Sequence, residues 1–146
     1  MAAASEHMKG RKVMKESDTC EAACKDNALD LLPADIRARL LENGRINAAR
    51  IARDGNTVDF HPVVKLFTPD AGCTWLLAEI DPENNLGFGL CDLGMGCPEI
   101  GSVSLEEIAA LRGKLGLPVE RDLHFEADKS LAAYADEARL LGRIKA

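Results

Sequence analysis

The segment from Val119 to Phe125 has the residue types best suited to chemistry in this chain of 146 residues. Apolar and polar residues alternate there, which predicts a β-strand with Val119, Arg121, Leu123 and Phe125 on one face. An arginine on an apolar face requires an anionic partner, because burying an unpaired guanidinium is costly. The pattern therefore predicts either a structural ion pair or capture of an anionic ligand by Arg121, unless the faces of the strand are reversed.

Glu79 is the candidate partner of Arg121. In a predicted strand from Thr74 to Ile80, Trp75, Leu77 and Glu79 fall on one face. An ion pair between Glu79 and Arg121 would fix the register of two strands. In the ligand-binding alternative, Trp75, Glu79 and Arg121 line a pocket together with Asp92 and His124.

His124 lies between Asp122 and Glu126 on the opposite face of the predicted strand. Neighbouring carboxylates favour the imidazolium and could orient the ring for acid–base chemistry. The outer face of a surface strand is also ordinarily polar, so a solvated face is the structural alternative. Because no nucleophile motif accompanies His124, we assign no catalytic residues and expect a non-enzymatic role.

No metal and no cofactor are predicted. Cys91 and Cys97 do not have the spacing of a structural zinc site. Asp81, Glu83 and Asp92 match positions of a calcium-binding loop, but Leu86 replaces the glycine that such a loop needs. An odd number of cysteines without an export signal predicts reduced thiols and a cytoplasmic location, and no apolar run is long enough to span a membrane, so no membrane partner is expected.

Charge is unevenly distributed in a chain of net charge -6. From Val63 to Ile108, Lys65 is the only base, and the acids are Asp70, Glu79, Asp81, Glu83, Asp92, Glu99, Glu106 and Glu107. This imbalance predicts an acidic surface that suits a protein partner with a basic surface. Nucleic acid is an unlikely partner, because the arginines from Arg37 to Arg53 are typical of a solvated helix face and aromatic residues are few.

The predicted elements form an α+β fold, in which an antiparallel β-meander of four to five strands packs against two to three helices. A helix begins near Pro33 and ends at Gly44, and a second short helix covers Ile46 to Arg53. Residues 1–30 are predicted to form an N-terminal arm that is either mobile or loosely helical, and residues 31–146 a single domain. The predicted strands run from Val63 to Phe67, Thr74 to Ile80, Leu86 to Cys91, Glu99 to Val103 and Pro118 to Glu126.

Two more helices follow from capping signals. Ser104 and Glu107 form a capping box, which predicts a helix through Leu111. Ser130 begins a terminal helix that meets Gly142.

Several motifs resemble those of domain-of-unknown-function family 2958. They are VVKLFTPDAG from Val63, TWLL from Thr74, GFGLCDLGMG from Gly87, PEIGSVSL from Pro98 and GLPVERDLHF from Gly116. The resemblance covers Leu31 to about Ile144. It implies a bacterial protein associated with plasmids and conjugative elements, and it implies no agreed catalytic residues.

Two functions are therefore expected. The first is a non-enzymatic accessory protein of bacterial mobile elements that presents an acidic β-sheet surface to a protein partner. The alternative is a small-ligand-binding protein or enzyme with a pocket around Arg121, Glu79, Trp75 and His124. A concave pocket where these residues converge favours the alternative, and a flat acidic face favours the first. The candidate binding residues are Trp75, Glu79, Asp81, Glu83, Asp92, Arg121, Asp122 and His124.

Overall fold

The computed structural model describes residues 31–146. The predicted N-terminal arm lies outside them. The described elements, in chain order, are α1 (Ala34–Arg53), β1 (Val64–Phe67), β2 (Thr74–Ile80), β3 (Leu86–Asp92), β4 (Glu99–Ser104), α2 (Leu105–Ala110), β5 (Glu120–Arg121) and α3 (Leu131–Leu141).

The five strands form one antiparallel sheet in the order β4-β3-β2-β1-β5. The first four strands are joined consecutively, so the predicted meander is confirmed. The fifth strand returns to pair with β1, where Leu66 lies opposite Arg121 and Phe67 opposite Glu120. The α+β class is therefore confirmed, with β4 and β5 as the two edges of the sheet.

Helices cover both faces of the sheet. Because successive side chains of β2 point to opposite faces, Trp75 and Leu77 join a cluster with α1 and α2, while Leu76 and Ala78 join a cluster with α3. The sheet therefore buries apolar side chains on both sides. The central strands β2 and β3 therefore offer no broad exposed face for an acidic surface.

Helix α1 is continuous from Ala34 to Arg53, so the predicted end at Gly44 is wrong. Gly44 is buried against β2, and a Cβ atom built there would lie 1.9 Å from the main-chain oxygen of Ile80. This glycine permits close helix–sheet packing and does not end the helix. The helix ends at Arg53, with Asp54 as its C-cap and Gly55 at φ 80° after it.

The capping predictions for the two later helices are confirmed at their N-termini. The Ser104 hydroxyl accepts the Glu107 N–H at 3.2 Å, and the Ser130 hydroxyl accepts the Ala133 N–H at 3.4 Å. Helix α3 ends at Gly142 in the left-handed conformation. No helix of residues 31–146 is long and apolar enough to cross a membrane.

Strand β5 is much shorter than predicted. The ladder with β1 covers only Glu120 and Arg121, and the Asp122 carboxylate accepts the N–H of His124 at 2.9 Å in the turn that follows. A side chain that binds the main chain two residues later competes with strand pairing. Asp122 and His124 therefore lie in a turn, and Leu123 is exposed.

Candidate functional site

A cleft of about 510 Å³, open to solvent, lies where β5 meets β1 and the β1–β2 turn. The pairing of β5 with β1 brings the segment from Arg121 to His124 against the turn from Thr68 to Thr74. The charged and polar residues that line the cleft are Lys65, Thr68, Cys73, Thr74, Arg121, Asp122 and His124.

Lys65 and Asp122 neutralise each other within the cleft. Their charged atoms are 3.5 Å apart, and both side chains are partly buried. Lys65 also donates to the main-chain oxygen of Ala146 at 2.8 Å. The N–H of His124, followed by the charge of Lys65, holds the pKa of Asp122 below its usual value. Asp122 therefore remains anionic and is committed to these two partners.

The positive charge of Arg121, in contrast, is not neutralised by a neighbouring carboxylate of the described residues. Arg121 borders the cleft, and its Nη1 atom is buried without a hydrogen-bond partner among the described residues. None of the carboxylates of residues 31–146 forms an ion pair with it. Of the charged side chains that line the cleft, Lys65 and Arg121 are positive and only Asp122 is negative, in a protein whose overall net charge is -6.

The predicted ion pair between Glu79 and Arg121 does not form in the described structure. The register of β2 against β3 shifts between Leu77 and Glu79, which interrupts the alternation on which the prediction depended. Glu79 is half-buried and lies close to Asn47 of α1. Burial raises the pKa of Glu79, and the Asn47 amide lowers it in part. Glu79 therefore lies outside the cleft.

Trp75 is a core residue and also lies outside the cleft. Its side chain is 3% exposed and packs in the cluster beneath α1 and α2. Of the residues expected to form a pocket, the structure brings only Arg121 and His124 to one cleft, together with Asp122. Trp75 and Glu79 are not part of it.

The expectation that Asp92 lies on an exposed acidic surface is wrong. Asp92 is 4% exposed, and its two oxygens accept the N–H groups of Gly94 at 2.9 Å and Ile144 at 3.1 Å. It therefore ties the C-terminal segment to the end of β3. Asp81 accepts the Glu83 N–H and the Asn84 side chain in the β2–β3 turn, while the Glu83 side chain is exposed.

Asp70 has a structural role that the sequence analysis did not identify. Its Oδ2 atom accepts the N–H groups of Leu115 at 2.6 Å and Leu117 at 3.3 Å. These contacts tie the β1–β2 turn, one wall of the cleft, to the loop that leads into β5. Gly113 permits this contact, because a Cβ atom there would lie 1.6 Å from Asp70 Oδ1.

The part of the chain that the structure describes contains no group of acidic, histidine or cysteine side chains arranged to hold a metal ion. Burial raises the pKa of Cys91 to about 11, so its thiol is protonated and unreactive near neutral pH. Cys73 is half-buried and lines the cleft.

The geometry favours binding of a small anion. A guanidinium offers paired donors that match the two oxygens of a carboxylate or phosphate. Thr74 and His124 add polar groups that could fix the orientation of such an anion. Lys65 and the Thr residues of the cleft could not have been assigned to the site from sequence, because the pairing of β1 with β5 joins residues that are far apart in the chain.

Comparisons with known proteins identify a family but no characterised relative. Neither a curated protein nor a solved structure matches the chain. The family described as "Protein of unknown function (DUF2958)" matches residues 31–145, which include the cleft and all five strands. The chain therefore belongs to the DUF2958 family.

Proposed function

We propose that the protein binds a small molecule carrying a carboxylate or phosphate group, and that Arg121 provides the principal contact. The observation that supports this proposal is the buried Nη1 atom of Arg121, which has no hydrogen-bond partner among the described residues and belongs to a residue at the border of a solvent-open cleft. Leaving a buried charged donor unsatisfied costs more than about 1 to 3 kcal/mol. An anionic ligand would satisfy the donor and offset this cost if the guanidinium turned toward the cleft, because Nη1 has almost no accessible surface in the described structure.

The neighbours of Arg121 support an anion in preference to a cation. Asp122 is already bound to Lys65 and to the His124 N–H. The cleft thus offers one uncompensated positive charge and no free carboxylate of its own among the lining residues. A cationic ligand would be repelled by Arg121, and no free carboxylate of the lining residues would offset that repulsion.

Binding is tested by thermal unfolding of the full chain with citrate or inorganic phosphate, using sodium chloride at matched ionic strength as the reference. Arg121→Met removes the guanidinium but keeps an apolar side chain of similar length. Arg39→Met is the matched control, because Arg39 is an exposed arginine of α1 that makes the same charge change outside the cleft.

We expect at least one of the two anions to stabilise the wild type and Arg39→Met alike, in proportion to its affinity. Arg121→Met should weaken this binding about 10-fold to 100-fold, as expected for loss of a hydrogen bond to a charged group. Equal weakening by Arg39→Met, or unchanged binding by Arg121→Met, would refute the proposal.

The association with bacterial mobile elements remains a proposal based on family resemblance, as does a cytoplasmic location. A role in binding a protein partner also remains a proposal. It requires a surface other than the faces of the central strands β2 and β3, since helices cover these on both sides.

A further inference from the structure

The outer edge of β4 pairs with no other segment of residues 31–146. This strand is the last in the sheet order, and its six residues, Glu99–Ser104, pair only with β3. In an antiparallel edge strand, alternate residues direct their N–H and C=O groups away from the sheet. No main-chain group of β4 binds another described segment outside this ladder.

Several observations indicate that this edge is accessible within the described structure. Glu99 and Ser102 are exposed, and a Cβ atom built at Gly101 would meet nothing within 4 Å. The other edge of the sheet differs, because β5 has only two residues. The β4 edge is therefore the longer template for an added strand.

The charges at both ends of this edge are negative. Glu99 begins the strand, while Glu106 and Glu107 directly follow its end, and all three side chains are exposed. None of them forms an ion pair with another described residue. Arg37 of α1 lies near the Ser104 end, where it donates to the Asn85 side chain.

These charges oppose pairing with a second copy of the chain. A symmetric pair of β4 strands would be antiparallel and would place Glu99 of one copy beside Glu106 and Glu107 of the other. Like charges at both ends of the pair would then repel. A basic strand would instead place positive side chains beside the same carboxylates.

We propose that the β4 edge binds an extended, basic segment of a protein partner, which adds to the sheet as a sixth strand next to β4. The unpaired main-chain groups supply the ladder hydrogen bonds, and Glu99, Glu106 and Glu107 select for lysine or arginine. This site does not depend on the cleft or on Arg121.

The test is amide hydrogen exchange of the full chain, with and without a capped peptide of alternating lysine and valine as long as β4. In the free protein, the outward N–H groups of β4 should exchange quickly and the N–H groups bound to β3 slowly. The added peptide should slow the exchange of the outward N–H groups of β4. A peptide with glutamate in place of lysine should not slow it.

Charge reversal tests whether the carboxylates at the β4 edge select a basic peptide. Glu99→Lys should weaken peptide binding about fivefold, because it removes one attraction and adds one repulsion at an exposed site. Glu126→Lys is the matched control, since Glu126 is exposed and lies outside β4 and α2. Arg121→Met should leave peptide binding unchanged, which separates this site from the cleft.

Three results would overturn the proposal. In the first, the outward amides of β4 already exchange slowly in the free protein, which would show that its own N-terminal segment or a second copy covers the edge. In the second, the peptide protects a different segment. In the third, Glu126→Lys weakens binding as much as Glu99→Lys.

Discussion

Replacing Arg121 with methionine should not destabilise the unliganded protein. No ion pair is lost among the described residues, and the buried Nη1 atom that lacks a partner is removed. Methionine retains an apolar side chain that can pack along the same path. Removing an unsatisfied buried donor should recover up to about 2 kcal/mol of unfolding free energy, so the expected change lies between zero and that gain.

The assay is urea unfolding followed by the fluorescence of Trp75, the only tryptophan and a buried one. With a typical slope of about 2 kcal/mol per molar urea, a gain of about 2 kcal/mol would raise the midpoint by about 1 M. If Arg121 were a member of a buried ion pair, its removal would instead cost about 3 to 5 kcal/mol. A loss of that size would refute the argument that its charge is uncompensated.

Three further predictions concern the core and the titrating groups. Gly44→Ala should destabilise by about 2 kcal/mol or more in urea unfolding, because the new Cβ atom would meet the Ile80 main chain; a gain of about 1 kcal/mol, typical of an exposed helical glycine, would contradict this. Because burial raises the pKa of Glu79, the wild type should lose stability as pH rises above the ordinary value of 4.5 toward the raised pKa. Glu79→Gln should therefore match the wild type below pH 4.5 and exceed it above, and a constant difference at all pH values would count against the effect of burial. In native protein at neutral pH, iodoacetamide should label exposed Cys97 and spare Cys91, whose pKa is about 11; mass spectrometry that found both thiols labelled would contradict this.

The local elements of the fold could be predicted because their signals are contained in short segments. The Ser104 and Ser130 caps, the glycine after α3 and the alternation in β2 each depend on neighbouring residues. Gly44 misled the prediction, because the same residue type serves both as a helix end and as a close-packing position. Only the position of Ile80 in space distinguishes these two roles.

The site could be predicted only in part for a similar reason. Arg121 was recognisable because a charge on an apolar face requires a partner, but its neighbours depend on the pairing of β5 with β1. The bulge after Leu77 interrupts the alternation next to Glu79, which lies beside Asn47 of α1 and forms no ion pair with Arg121. Sequence alternation cannot reveal a register shift, since one extra residue reverses every side chain beyond it.

The most direct test of the proposed function is an NMR titration that follows the side-chain Nε–H signals of the arginines in the wild type. Citrate or inorganic phosphate should shift the Arg121 signal to saturation and leave the Arg39 signal unchanged. An Arg121 signal that stays constant while another arginine saturates, or shifts at Arg121 and Arg39 that grow together without saturation, would contradict a specific anion site in the cleft.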